Sequence, residues 1–237
     1  MHTSGLFKLA VAIAVTAIAT GCDDGKIYPS DADLSGDNGI SVVMTGTITG
    51  AGNSYESGYT LALAAFNEGN EFAVASKTVG DGSETIELTN VSPTVNSIEL
   101  CVINSLRKRI LTLAYVAVDG SADDRVVFDI GDVDASPFSV INRGIFSTTC
   151  VQCHGATGHA AAGLDLQPDK AYEMLVNVPS TVVDGMRRVA TGDASASTLW
   201  QAVATDVSST WNFHHNNLLT PDQSAFIENW INNSQND

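Results

Sequence analysis

The chain has 237 residues, with 27 Asp and Glu against 11 Lys and Arg and a formal net charge of −16. Such an excess of acid excludes nucleic acid and anionic lipid as partners held by bulk electrostatics, and favours solubility or a basic partner. The length exceeds the common single-domain size, so two domains of about 100 residues each are expected, each burying its own core. With only four cysteines, no disulfide framework is implied.

Residues 1–21 carry His2 and Lys8, then the apolar run Leu9 to Ala19, then Thr20-Gly21 ahead of Cys22. The run is too short to span a bilayer and reads as a signal peptide. The small residues before Cys22 resemble the lipobox of bacterial lipoproteins, with Ala19 standing where leucine is usual. The resemblance implies export, lipidation of Cys22, and a membrane anchor made of acyl chains, in the periplasm or at the outer membrane or cell surface. Residues 22–39 are acidic and rich in Gly, Ser and Asn, the composition of a tether.

From residue 40 to 135 the sequence breaks into short segments rich in β-branched residues: Ser41 to Thr49, Tyr59 to Phe66, Glu71 to Val79, Thr85 to Val91, Ser97 to Ile103, Ile110 to Val118 and Arg125 to Ile130. Turn chemistry at Gly80-Asp81-Gly82, Ser92-Pro93 and Asp119-Gly120 separates them. Seven such strands predict an antiparallel β-sandwich of immunoglobulin-like type. In Thr85-Ile86-Glu87-Leu88-Thr89 the alternation puts Ile86 and Leu88 on the core face. Cys101 reads as a small buried apolar side chain, and the basic cluster Arg107-Lys108-Arg109 as a solvated hairpin tip. Nothing here offers paired carboxylates, a nucleophile with a base or a phosphate loop, so the default role is spacer or interaction module.

At Ser136-Pro137 the periodicity changes to helical. Ile141, Ile145 and Phe146 make one face of a helix running into Cys150-Val151-Gln152-Cys153-His154. Two thiols three positions apart and an adjacent imidazole are what covalent haem attachment requires: each cysteine adds to one vinyl group, and the histidine takes the iron. A zinc site would want a second Cys or His pair at finger spacing, and a redox dithiol a βαβ context; the sequence has neither. Pro168 to Val176 and Ala194 to Val203 predict two more helices. Thr220-Pro221 and Gln223 predict a capping box that opens a last helix with the stripe Phe226, Ile227, Trp230 and Ile231.

With this pentad, the aromatic Phe146 four residues before Cys150, and the final amphipathic helix, residues 136–237 resemble the small class I-like c-type cytochrome domains at the C-terminal end of bacterial lipoproteins. The resemblance implies a small all-α domain of four short helices around one haem c, with His154 as proximal ligand and a proline carbonyl, nearest at Pro168, accepting from its other ring nitrogen. It also implies a methionine in the loop before the last helix, and here the chain departs: Trp211-Asn212-Phe213-His214-His215-Asn216-Asn217 holds two histidines and no methionine. Met174 and Met186 lie too early, and His159 reads as surface. The sixth ligand is then His215 or His214; the resemblance leans to His215, and spacing leaves both open.

Bis-histidine ligation leaves the iron no place for substrate. The expected function is therefore single-electron transfer with redox partner proteins, and not catalysis. Two other readings stand beside it. One is a haem-based sensor or peroxidase-like protein in which the loop histidine is displaced. The other is a surface binding protein in which the sandwich does the work.

Overall fold

The structure is a computed structural model that describes residues 39–52, 55, 58–82, 85–119, 125–155, 159–211 and 213–234, all within one compact unit. The signal peptide, Cys22 and the tether as far as residue 38 lie outside the described residues.

Seven strands form two sheets: β1 Ile40–Thr49, β2 Tyr59–Phe66, β3 Ala75–Thr78, β4 Ile86–Val91, β5 Ser97–Asn104, β6 Arg109–Ala117 and β7 Arg125–Asp134. One sheet has the order β4-β1-β7, the other β3-β2-β5-β6. Val42 and Met44 of the first sheet and Leu61, Leu63, Leu100 and Val102 of the second belong to one apolar cluster. In β4 the alternation holds from Ile86 to Thr89, with Leu88 buried, Ile86 partly buried against the same cluster and Glu87 and Thr89 exposed; it breaks at Asn90, whose φ is 56, before buried Val91. In β2 and β5 it disappears, because both faces are covered; Ala62, Ala64, Phe66, Ala73, Cys101 and Ile103 form a second buried cluster.

The prediction of an antiparallel sheet needs one correction. β1 runs parallel to β7. A parallel pair needs a long crossover, and here the whole of the intervening chain supplies it. The register shifts between Thr45 and Thr47, where Gly46 has φ +134; a β-carbon there would collide with the Gly131 carbonyl oxygen and the Ile130 side chain. The strand order also departs from the immunoglobulin constant domain, in which the first strand shares a sheet with the second and fifth; here it lies between the fourth and seventh.

Arg107-Lys108-Arg109 is not a wholly solvated tip. Only Arg107 is exposed, in the turn at φ +60. Lys108 pairs with Asp222 at 2.7 Å and Glu71 at 3.5 Å, and Arg109 pairs with buried Glu99 and lies over the Phe66 ring. Two of the three charges are therefore spent inside the fold.

The all-α cytochrome c-like domain predicted for residues 136–237 is not what this segment forms. Its α-helices are α1 Pro137–Ile141, α2 Ala171–Leu175, α3 Thr198–Ala204 and α4 Pro221–Asn233, and α4 is the longest. α1 passes at Asn142 into a π-helical turn ending at Phe146. A two-residue ladder, β8 His154–Gly155 with β9 His159–Ala160, and 3-10 turns at Cys150–Gln152, Ala161–Gly163, Val207–Trp211 and His215–Asn217 take up much of the rest. Helix forms at each place predicted for it, but α1, α2 and α3 are only 5, 5 and 7 residues long, and between α2 and α3 Pro, Gly, Asp and Ser interrupt every apolar run in residues 177–197. They fold as loops joined by single bridges such as Val176 to Val189 and Arg187 to Ser197.

α4 begins as its sequence predicts. The Thr220 hydroxyl accepts from the Gln223 N–H, the Gln223 side chain accepts from the Thr220 N–H, and Pro221 opens the helix. Its stripe Phe226, Ile227, Trp230 and Ile231 is buried in the same cluster as the strands. Phe226 lies parallel to the Tyr55 ring at 6.2 Å and edge-on to Tyr59 at 4.9 Å. Phe226→Ala is expected to cost about 3–5 kcal/mol, since it deletes a fully buried ring and leaves a cavity. Urea unfolding checks it: the midpoint should fall with the slope unchanged. A loss under about 1 kcal/mol would show that the site collapses around the missing ring.

Candidate functional site

Ile141, Ile145 and Phe146 are all buried and anchor the segment that leads to Cys150. The chain then tightens: the Cys153 N–H donates to the Cys150 carbonyl at 3.2 Å, which closes the 3-10 turn and sets the two thiols one turn apart. Cys150 is half-buried; burial, and then the charge of Cys153, push its thiol up to about 11. Cys153 is exposed. Neither cysteine is in a disulfide.

His154 follows in β8. Gly155 must be glycine, because a β-carbon there would strike the Val151 carbonyl oxygen. The His154 carbonyl accepts from the Leu166 N–H at 2.6 Å, and its Nδ1 lies 2.9 Å from the Ala161 carbonyl oxygen. A carbonyl only accepts, so Nδ1 carries the proton and the lone pair is on Nε2. The acceptor is Ala161 and not Pro168, whose carbonyl takes the Asn142 side-chain amide at 2.8 Å instead.

The two loop histidines are turned differently. His214 is exposed and donates from Nδ1 to Asp206 at 2.9 Å. The ring of His215 faces that of His154, with centroids 6.2 Å apart and planes inclined by 35°. Phe213 at 4.8 Å and Trp211 at 6.1 Å stand edge-on to the His215 ring, and its backbone N–H donates to the Ser208 hydroxyl at 3.0 Å. The Nδ1 of His215 is buried without a hydrogen-bond partner. Burial, and then the neighbouring His154, hold this imidazole below the usual histidine range, which favours the neutral form a metal needs.

Met174 lies in α2, and Met186 follows Gly185 in a turn whose carbonyl accepts from the Ser180 N–H at 2.9 Å. The backbone of His159 pairs with Gly155 in the β8–β9 ladder. The aromatic flank of Trp211 and Phe213 had a sequence signal, two rings just ahead of the histidine pair. The Ala161 carbonyl had none, because a backbone acceptor carries no side-chain signature.

The residues fit a metal held between two imidazoles. Two rings on opposite sides of one ion, each bonded at about 2 Å, have centres about 6 Å apart. The separation found is 6.2 Å, and His215 has a buried ring nitrogen without a partner.

No family model matches the chain, and neither a curated protein nor a solved structure matches it. The resemblance to class I-like c-type cytochrome domains of bacterial lipoproteins does not hold. No family match supports it, the α-helices of the C-terminal segment are short pieces among 3-10 turns and a two-residue ladder, and among the described residues no group of three or more His, Cys, Asp or Glu that could hold a metal ion comes together. What stands is the residues themselves: a Cys150, Cys153, His154 pentad and a second imidazole facing it.

Proposed function

We propose that the chain attaches one haem c covalently through Cys150 and Cys153 and carries single electrons, with His154 and His215 as the imidazoles that would hold the iron. The observation that carries this reading is the attachment pentad together with an imidazole 6.2 Å across from its histidine. It rests on the chemistry of these residues and not on a family. A porphyrin brings four nitrogens of its own, so two protein ligands suffice and no cage of three is needed.

When bound, haem c supplies a one-electron ferric/ferrous couple. The protein's residues do the rest. Cys150 and Cys153 fix position, Ala161 orients His154 through Nδ1, and Phe213 and Trp211 shield His215 from water. With His154 and His215 both holding the group, O₂ and peroxide would find no open site on it. Imidazole in place of thioether favours a lower potential, since Met/His ligation raises it. The partners are redox proteins. Two sheets sharing one apolar cluster support reading residues 40–135 as a sandwich of immunoglobulin-like layering with its own strand order, serving as a spacer.

The test is an absorption spectrum of protein matured with the haem c attachment machinery. A six-coordinate low-spin ferric haem whose ferrous form ignores CO is the expected result. Rapid CO binding would move the reading to a sensor or a peroxidase-like protein.

Export and anchoring through Cys22 belong to the same proposal. Among the described residues no helix is long and apolar enough to cross a membrane, and the acyl chains proposed on Cys22 supply the anchor. Cys22→Ser is expected to move the protein from the membrane fraction to the soluble one. A variant that stays with the membrane would contradict lipidation.

A further inference from the structure

The acceptor for His154 sits in an unusual turn. In Ala161–Gly163, Ala162 adopts the left-handed conformation at φ 56 and ψ 21, which an alanine side chain disfavours. Such a turn persists only where its surroundings hold it. Arg188, nearly buried, donates from Nη2 to the Gly163 carbonyl at 3.2 Å and the Ala162 carbonyl at 3.4 Å, and from Nη1 to the Met174 carbonyl at 2.8 Å. The Thr181 hydroxyl donates to the Ala162 carbonyl at 3.1 Å. Ala161, the residue before, aims its carbonyl at His154 Nδ1 and also accepts the Leu164 N–H at 3.1 Å.

We propose that Arg188 and Thr181 are positioning residues for the proximal imidazole: they clamp the Ala161–Gly163 turn so that the Ala161 carbonyl stays on His154 Nδ1, and through that bond they set the redox potential. The inference rests on the haem reading above. An acceptor on the far nitrogen makes a metal-bound imidazole more basic, and a more basic ligand stabilises ferric iron. Loosening the clamp therefore weakens the bond and raises the potential. Lysine at 188 keeps the charge but loses the planar fork that spans two carbonyls. Valine at 181 removes only the hydroxyl. Neither change alters net charge, so the shift reports the hydrogen bond and not a lost cation.

The experiment is a redox titration of the matured wild type, Arg188→Lys and Thr181→Val, with thermal unfolding of each. Both variants should keep covalent low-spin haem. Both should show at least a threefold higher ferrous-to-ferric ratio at the wild-type midpoint, about 30 mV upward at 59 mV per tenfold. The double variant should shift further. If Arg188→Lys does not fold, Thr181→Val alone decides. Attached haem with lowered thermal stability but an unchanged potential would overturn the positioning role and leave the haem reading intact. A wild type that carries no covalent haem would overturn both.

Discussion

Replacing both Cys150 and Cys153 with alanine is expected to abolish covalent haem completely. The effect is all or none because the proposed attachment consists of two thioether bonds and, among the described residues, the one other thiol is Cys101. Cys101 is fully buried in β5, and burial holds its thiol far above the usual range. Denaturing electrophoresis with a haem stain reads the result. The single variants separate the two thiols: the exposed Cys153 and the half-buried Cys150 would each make one bond, so either alone should leave a weaker, singly attached product. Stain persisting in the double variant would mean that the pentad is not the attachment site. The fold itself should survive, because neither residue belongs to the fully buried core.

His215→Ala is expected to have the second largest effect, and His214→Ala almost none. His215 faces His154 across 6.2 Å between two aromatic rings, whereas His214 is exposed on Asp206. Without the His215 imidazole the distal position is left to water, so high-spin character should appear in the ferric spectrum and the ferrous form should bind CO. His214→Ala should keep a low-spin spectrum and lose only an exposed pair, worth about 0–1 kcal/mol. His215→Met should keep six coordination and raise the midpoint potential. If His215→Ala stays low-spin, the double variant with His214→Ala shows whether the neighbour swings in. A double variant that remains low-spin and ignores CO would remove the loop from the iron altogether.

What could be read in the sequence was whatever depends on local chemistry. The capping box at Thr220 and Gln223, the buried stripe of α4 and the alternation in β4 all follow from neighbours a few residues apart. The attachment pentad is local too. What could not be read depends on partners far away in the chain. β2 and β5 lose their alternation because a second cluster covers their outer faces. The end of β7 is polar, with Gly131, Asp132 and Asp134, yet it is held as strand by β1, whose parallel approach no turn announces. The four expected helices are there, but the first three are cut to 5, 5 and 7 residues, because a helix-like pattern does not announce where 3-10 turns and bridged loops take over. Within the site, His214 and His215 are equivalent by spacing. Their difference comes from the Ser208 hydroxyl holding the His215 backbone and Asp206 drawing His214 outward. That the acceptor is Ala161 and not Pro168 depends on the Ala161–Gly163 turn, which brings a backbone carbonyl to His154 without any side-chain signature.

Whether this chain carries haem covalently on Cys150 and Cys153 is read from the mass of the peptide that contains them. The protein is produced with the haem c attachment machinery, denatured, stripped of loosely bound cofactor and digested. The peptide spanning Cys150 to His154 is expected to be heavier by one haem, with both thiols blocked to alkylation. An unmodified peptide with two free, alkylatable thiols would contradict it.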